Sequence, residues 1–177
     1  MDLSAAGRSA LTLGVLAVLF LGGVAWAWSQ VTDPFPEAEK AALCTETAVA
    51  AGEPVRPGKV LVSVLNASER NGLAGDTMDD LVDAGFGDGE RGNVDVAGAG
   101  TMTAQIWTTD RRNPGVRLAK SYLGEGAEIV EQSSDRPGVT IVVGERFGGV
   151  TEGRKRVRAK EDTTVCVPAL VAEDDPA

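Results

Sequence analysis

The side chains of this chain best placed to do chemistry are cationic, and none is a histidine. Arg154, Lys155, Arg156, Arg158 and Lys160 crowd one short stretch near the C-terminus. Such a cluster can grip an anionic polymer or phospholipid headgroups by Coulomb attraction, which salt weakens. Glu152, Glu161 and Asp162 flank it, so the plainer reading is a solubilising linker. A second basic point is the turn Asp110-Arg111-Arg112-Asn113, whose paired guanidiniums can fork onto a phosphate or carboxylate. A solvated turn balanced by Asp110 is its plainer reading.

The third candidate is the segment Asn66 to Gly72. A strand-to-helix turn leaves unpaired N–H groups at the helix start, where an anion can sit, and Ser68, Arg70 and Asn71 can add donors. The plainer reading is that Asn71 caps the helix and Gly72 permits the turn. The segment carries no GxxxxGK[ST], so nucleotide binding has no support. Asp76, Asp79, Asp80 and Asp83 fall on one helix, mostly opposite its apolar residues, without the loop spacing of a calcium site; they read as a solvated acidic face.

What is missing narrows the chemistry further. With no histidine there is no imidazole base, no Ser-His-Asp triad, and none of the commonest metal ligand. There is also no nucleophile elbow. The expectation is a protein that is not an enzyme and that needs no cofactor or metal. A net charge of −9 and an aromatic content of 5% argue against nucleic acid as a partner.

Two cysteines, Cys44 and Cys166, are too far apart for a CxxC redox or zinc site. They read as a disulfide between the segment before the domain and the C-terminal tail, worth roughly 4–5 kcal/mol in the chain-entropy model. Two free thiols are the alternative, disfavoured in an oxidising exterior.

An uncharged apolar run, Ala10 to Trp28, stands beside the N-terminus. As a helix it reaches roughly 28 Å, the thickness of a bilayer's hydrocarbon core, and Trp26 and Trp28 suit an interfacial belt. It reads as a transmembrane helix with residues 1–9 in the cytoplasm and the rest outside, since Arg8 precedes it and Asp33, Glu37 and Glu39 follow. The alternative is a signal peptide cleaved near Ala27, after which the protein is secreted. Both place the remaining chain outside the cytoplasm.

The elements that must position the candidate residues follow in order. Residues 29–58 read as an extracytoplasmic stalk, punctuated by Pro34, Pro36, Pro54 and Pro57, with a short helix over Glu37 to Ala51. Residues 59–150 read as the folded domain. Lys59 to Leu65 is a β-branched, buried strand; Leu73, Thr77, Met78, Leu81 and Val82 recur at helical spacing, with Gly85 at the helix end and Phe86 packed behind it. Val94 and Val96 suggest a short strand. Ala104 to Thr109 is a further strand, Pro114 to Leu123 a helix, and Ala127 to Glu131 and Val139 to Val143 two last strands.

The two halves echo each other, which predicts an α+β fold: a βαβ-βαββ sandwich of ferredoxin-like type, mainly antiparallel, with both helices on one face. Residues 151–177 read as a tail, basic and then acidic, with an edge strand near Cys166 and a disordered end.

From Val60-Leu61-Val62-Ser63-Val64-Leu65-Asn66-Ala67-Ser68 through Asn71-Gly72-Leu73-Ala74, the sequence resembles the LytR C-terminal domain family of cell-envelope proteins, chiefly actinobacterial. Asp83-Ala84-Gly85-Phe86, Ile106-Trp107, Leu118-Ala119 and Ile141 to Phe147 keep the same register. In longer relatives the module follows a LytR-CpsA-Psr catalytic domain that transfers lipid-linked glycopolymers to peptidoglycan. About thirty residues between the apolar run and Lys59 cannot hold an enzyme domain, so that activity does not carry over.

The resemblance implies a membrane-anchored, extracytoplasmic envelope module whose partner is a cell-wall glycopolymer or an envelope-assembly protein. The alternative is a structural or regulatory subunit of a membrane complex, with Gly14 and Gly22-Gly23 allowing close helix approach, although no GxxxG is present.

Overall fold

The computed structural model describes residues 13–24, 26 and 43–169 of the chain. The chain divides into two units, residues 1–41 and 42–177. In the first, residues 13–24 are helical and their large apolar side chains, Leu16, Leu19 and Phe20 among them, are exposed. Among the described residues no helix is long and apolar enough to cross a membrane. Apart from Trp26, which is exposed, the rest of the run Ala10 to Trp28, the prolines at 34 and 36 and the acidic C-terminal end lie outside the described residues.

The second unit is organised by β3 (Leu61–Asn66), whose six residues are all buried. A loop leads into helix α1 (Leu73–Asp83), which returns through a glycine cap to β4 (Gly87–Asn93). Gly85 has φ +96°, and its N–H bonds the Val82 carbonyl while the Phe86 N–H bonds that of Leu81. This paired capping ends the helix and buries Phe86 behind it, as the sequence predicts.

The second half repeats the pattern with β5 (Ala104–Thr108), α2 (Pro114–Lys120) and β6 (Ala127–Glu131). β7 (Val139–Val143) then completes a five-stranded sheet in the order β4-β3-β7-β5-β6.

This order corrects the ferredoxin-like expectation. β3 runs parallel to both β4 and β7, and β5 runs parallel to β6; the β5–β7 pair is antiparallel. Each βαβ unit keeps its two strands adjacent and parallel, and β7 enters between the units to join them. The fold class is α+β as expected, with a mixed sheet in place of a mainly antiparallel one.

Both helices cover one face. Val62, Val64, Ile106, Ile141 and Val143 form a single core cluster with Met78 and Leu81 of α1 and Val116 and Leu118 of α2. The rings of Phe86 and Tyr122 meet edge to face at 5.0 Å and link the two halves. Burial of each large aliphatic side chain here contributes about 1.5–3 kcal/mol.

The opposite face is covered as well. Leu61, Ser63, Leu65, Thr140 and Val142 are buried on it. The β6–β7 connection crosses this face: the Ser63 hydroxyl donates to the Pro137 carbonyl at 2.7 Å, and Arg136 pairs with Glu90 of β4. That hydrogen bond from the Arg136 guanidinium to Glu90 is the main cause that raises its pKa above the ordinary arginine value.

Three expectations give way at the margins. The strand predicted at Val94 and Val96 lies one segment earlier, in the glycine-rich β4. Its glycines are required by packing: a Cβ at Gly89 would run into the Val62 carbonyl and the Ser63 hydroxyl. The predicted helix carrying Cys44 is a strand, β1 (Cys44–Val49).

The folded unit also exceeds residues 59–150. β1 pairs antiparallel with β9 (Thr163–Pro168), and β2 (Pro54–Val55) pairs with β8 (Val157–Arg158). Val55, Val157, Ala159, Val165 and Val167 all join the core cluster. Residues 43–58 are therefore part of the domain rather than of a stalk, and residues 151–169 are part of it rather than of a tail.

Candidate functional site

The sequence candidates separate into two places because β5 runs against β3. The loop 66–72 leaves the C-terminal end of β3, and the turn 110–113 leaves the C-terminal end of β5, at the opposite end of the sheet.

At the first place the backbone donors from Ala67 to Arg70 are already used. The Ala67 N–H bonds the Val143 carbonyl at 2.9 Å, and the Ser68 N–H bonds the Asn66 side-chain oxygen at 2.8 Å. The Glu69 N–H bonds the Glu145 carboxylate at 3.2 Å, and the Arg70 N–H bonds the Ser68 hydroxyl at 3.1 Å. The Arg70 guanidinium donates to the Phe147 carbonyl at 2.7 Å.

A cavity of about 530 Å³ opens beside this loop, and its charged lining is acidic: Glu69, Asp95 and Glu145. Helix α1 is capped by Gly72 in the left-handed region with φ +80°, without a side-chain cap, and Asn71 is exposed. Ser68 and Arg70 thus sit in a turn whose N–H groups from Ala67 to Arg70 are already bonded, and Asn71 and Gly72 follow it exposed at the helix start.

At the second place Asn113 caps α2, accepting the Gly115 N–H at 2.9 Å and donating to the Thr164 carbonyl at 2.9 Å. Arg111 and Arg112 are exposed before it, and Arg112 approaches Glu161 at 3.5 Å. The pair is exposed on both sides, so its contribution to stability is about 0–1 kcal/mol.

The basic stretch is tied to this same helix. Residues 151–161 run antiparallel along α2 as a strap. Its upper end is fixed where the Thr151 N–H bonds the Tyr122 carbonyl at 2.8 Å and the Tyr122 hydroxyl donates to the Arg154 carbonyl at 3.1 Å. Its middle is fixed where Arg117 donates to the Arg158 carbonyl at 3.1 Å and Arg158 donates to the Gly52 carbonyl at 2.6 Å. Its lower end carries Glu161, beside Arg112.

Alternation does the rest. Val157 and Ala159 point into the core, which turns Arg156, Arg158 and Lys160 outward; Arg154 and Lys155 are exposed as well. Arg117 and Lys120 on α2 extend the same basic surface. Among the described residues, no carboxylate is ion-paired with Arg154, Lys155, Arg156 or Lys160.

The structure therefore brings Arg112, Arg154, Lys155, Arg156 and Arg158 onto one helix-and-strap surface and leaves Ser68, Arg70, Asn71 and Gly72 apart from it. Arg117 and Lys120 were missed as members of the surface. The signal for them was their spacing on α2, but only the strap's antiparallel course places them beside it. No described group of three or more carboxylates or cysteines is arranged to hold a metal ion.

The acids of α1 belong to the first βαβ unit, but Asp80 and Asp83 line a cavity of about 450 Å³ together with Glu152 and Lys155 of the strap. Asp76, Asp79, Asp80 and Asp83 are exposed, and Asp79 meets Arg91 at 3.0 Å.

Fold and surface together define a small, disulfide-closed α+β module with one acidic and one basic helix. Residues 59–147 match the profile of the LytR C-terminal domain, described as LytR cell envelope-related transcriptional attenuator, and the chain belongs to that family. No curated protein matches the chain. Among solved structures it is similar to the soluble domain of a conserved hypothetical secreted protein from Mycobacterium marinum, at 22% identity and a TM-score of 0.47, over 63% of this chain and 78% of that one. The matched family residues contain the whole five-stranded sheet and both helices; the strap and both cysteines lie outside them.

Proposed function

We propose that this protein is a non-enzymatic, extracytoplasmic module of the cell envelope that binds anionic wall polymer along the α2 strap. The observation that carries the reading is the ordered row of outward cations, Arg154 to Lys160, held against α2 by backbone hydrogen bonds and by burial of Val157 and Ala159. A fixed row of charges binds a polyanion with less ordering cost than a flexible tail does. The extracytoplasmic placement is supported by the Cys44–Cys166 disulfide, which belongs to an oxidising compartment. On this reading Ala10 to Trp28 is the anchor, and cleavage near Ala27 yields the same module in secreted form.

Co-sedimentation of residues 29–177, which contain the whole second unit, with isolated cell wall tests the proposal. Binding is expected to vanish when anionic polymers are stripped from the wall, and to weaken steeply in salt. Undiminished binding to stripped wall would direct the reading to peptidoglycan. No binding to either wall would favour an envelope-assembly protein as the partner.

A further inference from the structure

β1 is the least embedded strand of the domain. Of its six residues only Val49, the last, is buried; Thr45, Glu46, Thr47 and Ala48 are exposed. Its strand partner is β9, and β9 is itself well seated, with Val165, Val167 and Pro168 buried. The ladder ends where Cys44 faces Pro168 and the Ala169 N–H bonds the Leu43 carbonyl at 3.2 Å, one backbone hydrogen bond beyond the paired residues. The Cys44–Cys166 disulfide sits at that end, with Cα atoms 5.4 Å apart.

The far end is secured differently. The Ala51 N–H bonds the Asp162 carboxylate at 2.8 Å, and Gly52, at φ +86°, bonds the Ala159 carbonyl at 2.9 Å.

Beneath the ribbon lies a cavity of about 470 Å³. One wall is the ribbon itself, with Cys44, Glu46 and Cys166; the other includes Val60, Val116 and Trp107. β1 thus lines a cavity with Cys44 and Glu46 and enters the core only through Val49, fixed at one end by the turn 50–53 and at the other by the disulfide and the Ala169–Leu43 hydrogen bond.

We infer that Cys44–Cys166 is a clasp: β1 is a flap over the cavity, and reduction releases it while the sheet stays folded. This goes beyond the polymer-binding reading and does not depend on it. The opening step is ordinary thiol–disulfide exchange with a dithiol reductant. A reductant thiolate attacks one sulfur, a mixed disulfide forms, and the other cysteine leaves as a thiolate that takes a proton. The reductant's second thiol then attacks the mixed disulfide, freeing the remaining cysteine and closing the reductant into its own disulfide. Two electrons and two protons pass to the protein.

Hydrogen–deuterium exchange on the full chain in mild detergent, oxidised and then reduced with dithiothreitol, tests the clasp. Amides of residues 44–49 are expected to exchange at least about tenfold faster after reduction, while β3 and β7 are unchanged, as fits a local opening. Acrylamide quenching of Trp107, in a Trp26→Phe, Trp28→Phe background, is expected to increase in the same sample. Reoxidation should reverse both changes, and the Cys44→Ser, Cys166→Ser variant should match the reduced protein. Unchanged protection of residues 44–49 after reduction would overturn the inference, since strand pairing alone would then hold the flap. Equal loss of protection in β3 and β7 would overturn it too, because the disulfide would then hold the core.

Discussion

The two βαβ units share a plan and differ in what they expose. In the first, the loop after β3 has its N–H groups from Ala67 to Arg70 already bonded, α1 turns Asp76, Asp79, Asp80 and Asp83 outward, and the cavity beside the loop has an acidic rim. In the second, the turn after β5 exposes Arg111 and Arg112, α2 carries Arg117 and Lys120, and residues 151–161 add a further row of cations. The same supersecondary unit, used twice in one sheet, therefore places an acidic and a basic helix side by side on one face of that sheet. The backbone plan does not select the ligand; the outward side chains do.

The largest effect expected from breaking this comparison comes from removing the strap together with β9 and its disulfide. Ending the chain at Gly153 deletes Val157, Ala159, Val165 and Val167 from the core, a loss of about 5 kcal/mol or more by side-chain burial alone. Thermal melting followed by circular dichroism should show no cooperative transition for that truncation. The strap and β9 would then be structural parts of the domain, not appendages. A normal melt would mean that the five-stranded sheet and its helices fold without the strap and β9.

A smaller loss sharpens the contrast between the edge strands. Gly89→Ala in β4 forces a Cβ against the Val62 carbonyl and should cost about 2 kcal/mol. Glu128→Ala in β6, on an exposed position, should change the unfolding free energy in urea by no more than about 0.5 kcal/mol.

The turns differ by less again. Asn113→Ala removes a working cap and should cost about 1 kcal/mol in urea denaturation. Asn71→Ala should cost nothing beyond about 0.5 kcal/mol, because Asn71 is exposed and Gly72 holds the cap position.

These cases also mark what was legible in the sequence. β3, β5 and β7 announced themselves through β-branched residues, and α1 through its apolar spacing and its glycine stop. Pro114 marked the start of α2 and Asn113 its cap. β4 was illegible because Gly87 to Asn93 contains no large apolar residue; its reason for being a strand is the room its glycines leave for β3.

β1 was read as helix from its alanines, whereas its conformation comes from pairing with β9 more than a hundred residues away. The sheet order was hidden for the same reason, since only long-range pairing places β7 between β3 and β5. Of the candidate site, the cluster Arg154 to Lys160 could be read directly. Its union with Arg112 and Arg117 could not, because nothing local tells an ordered strap from a flexible linker.

The central claim is that the basic half, and not the acidic one, binds anionic wall polymer. Its most direct test compares two charge variants by co-sedimentation with intact wall: Arg154→Gln, Lys155→Gln, Arg156→Gln and Lys160→Gln together on the strap, and Asp76→Asn, Asp79→Asn, Asp80→Asn and Asp83→Asn together on α1. The account predicts loss of binding for the first and equal or tighter binding for the second, with both melting as the unaltered protein does. Binding kept by the strap variant and lost by the α1 variant would contradict it.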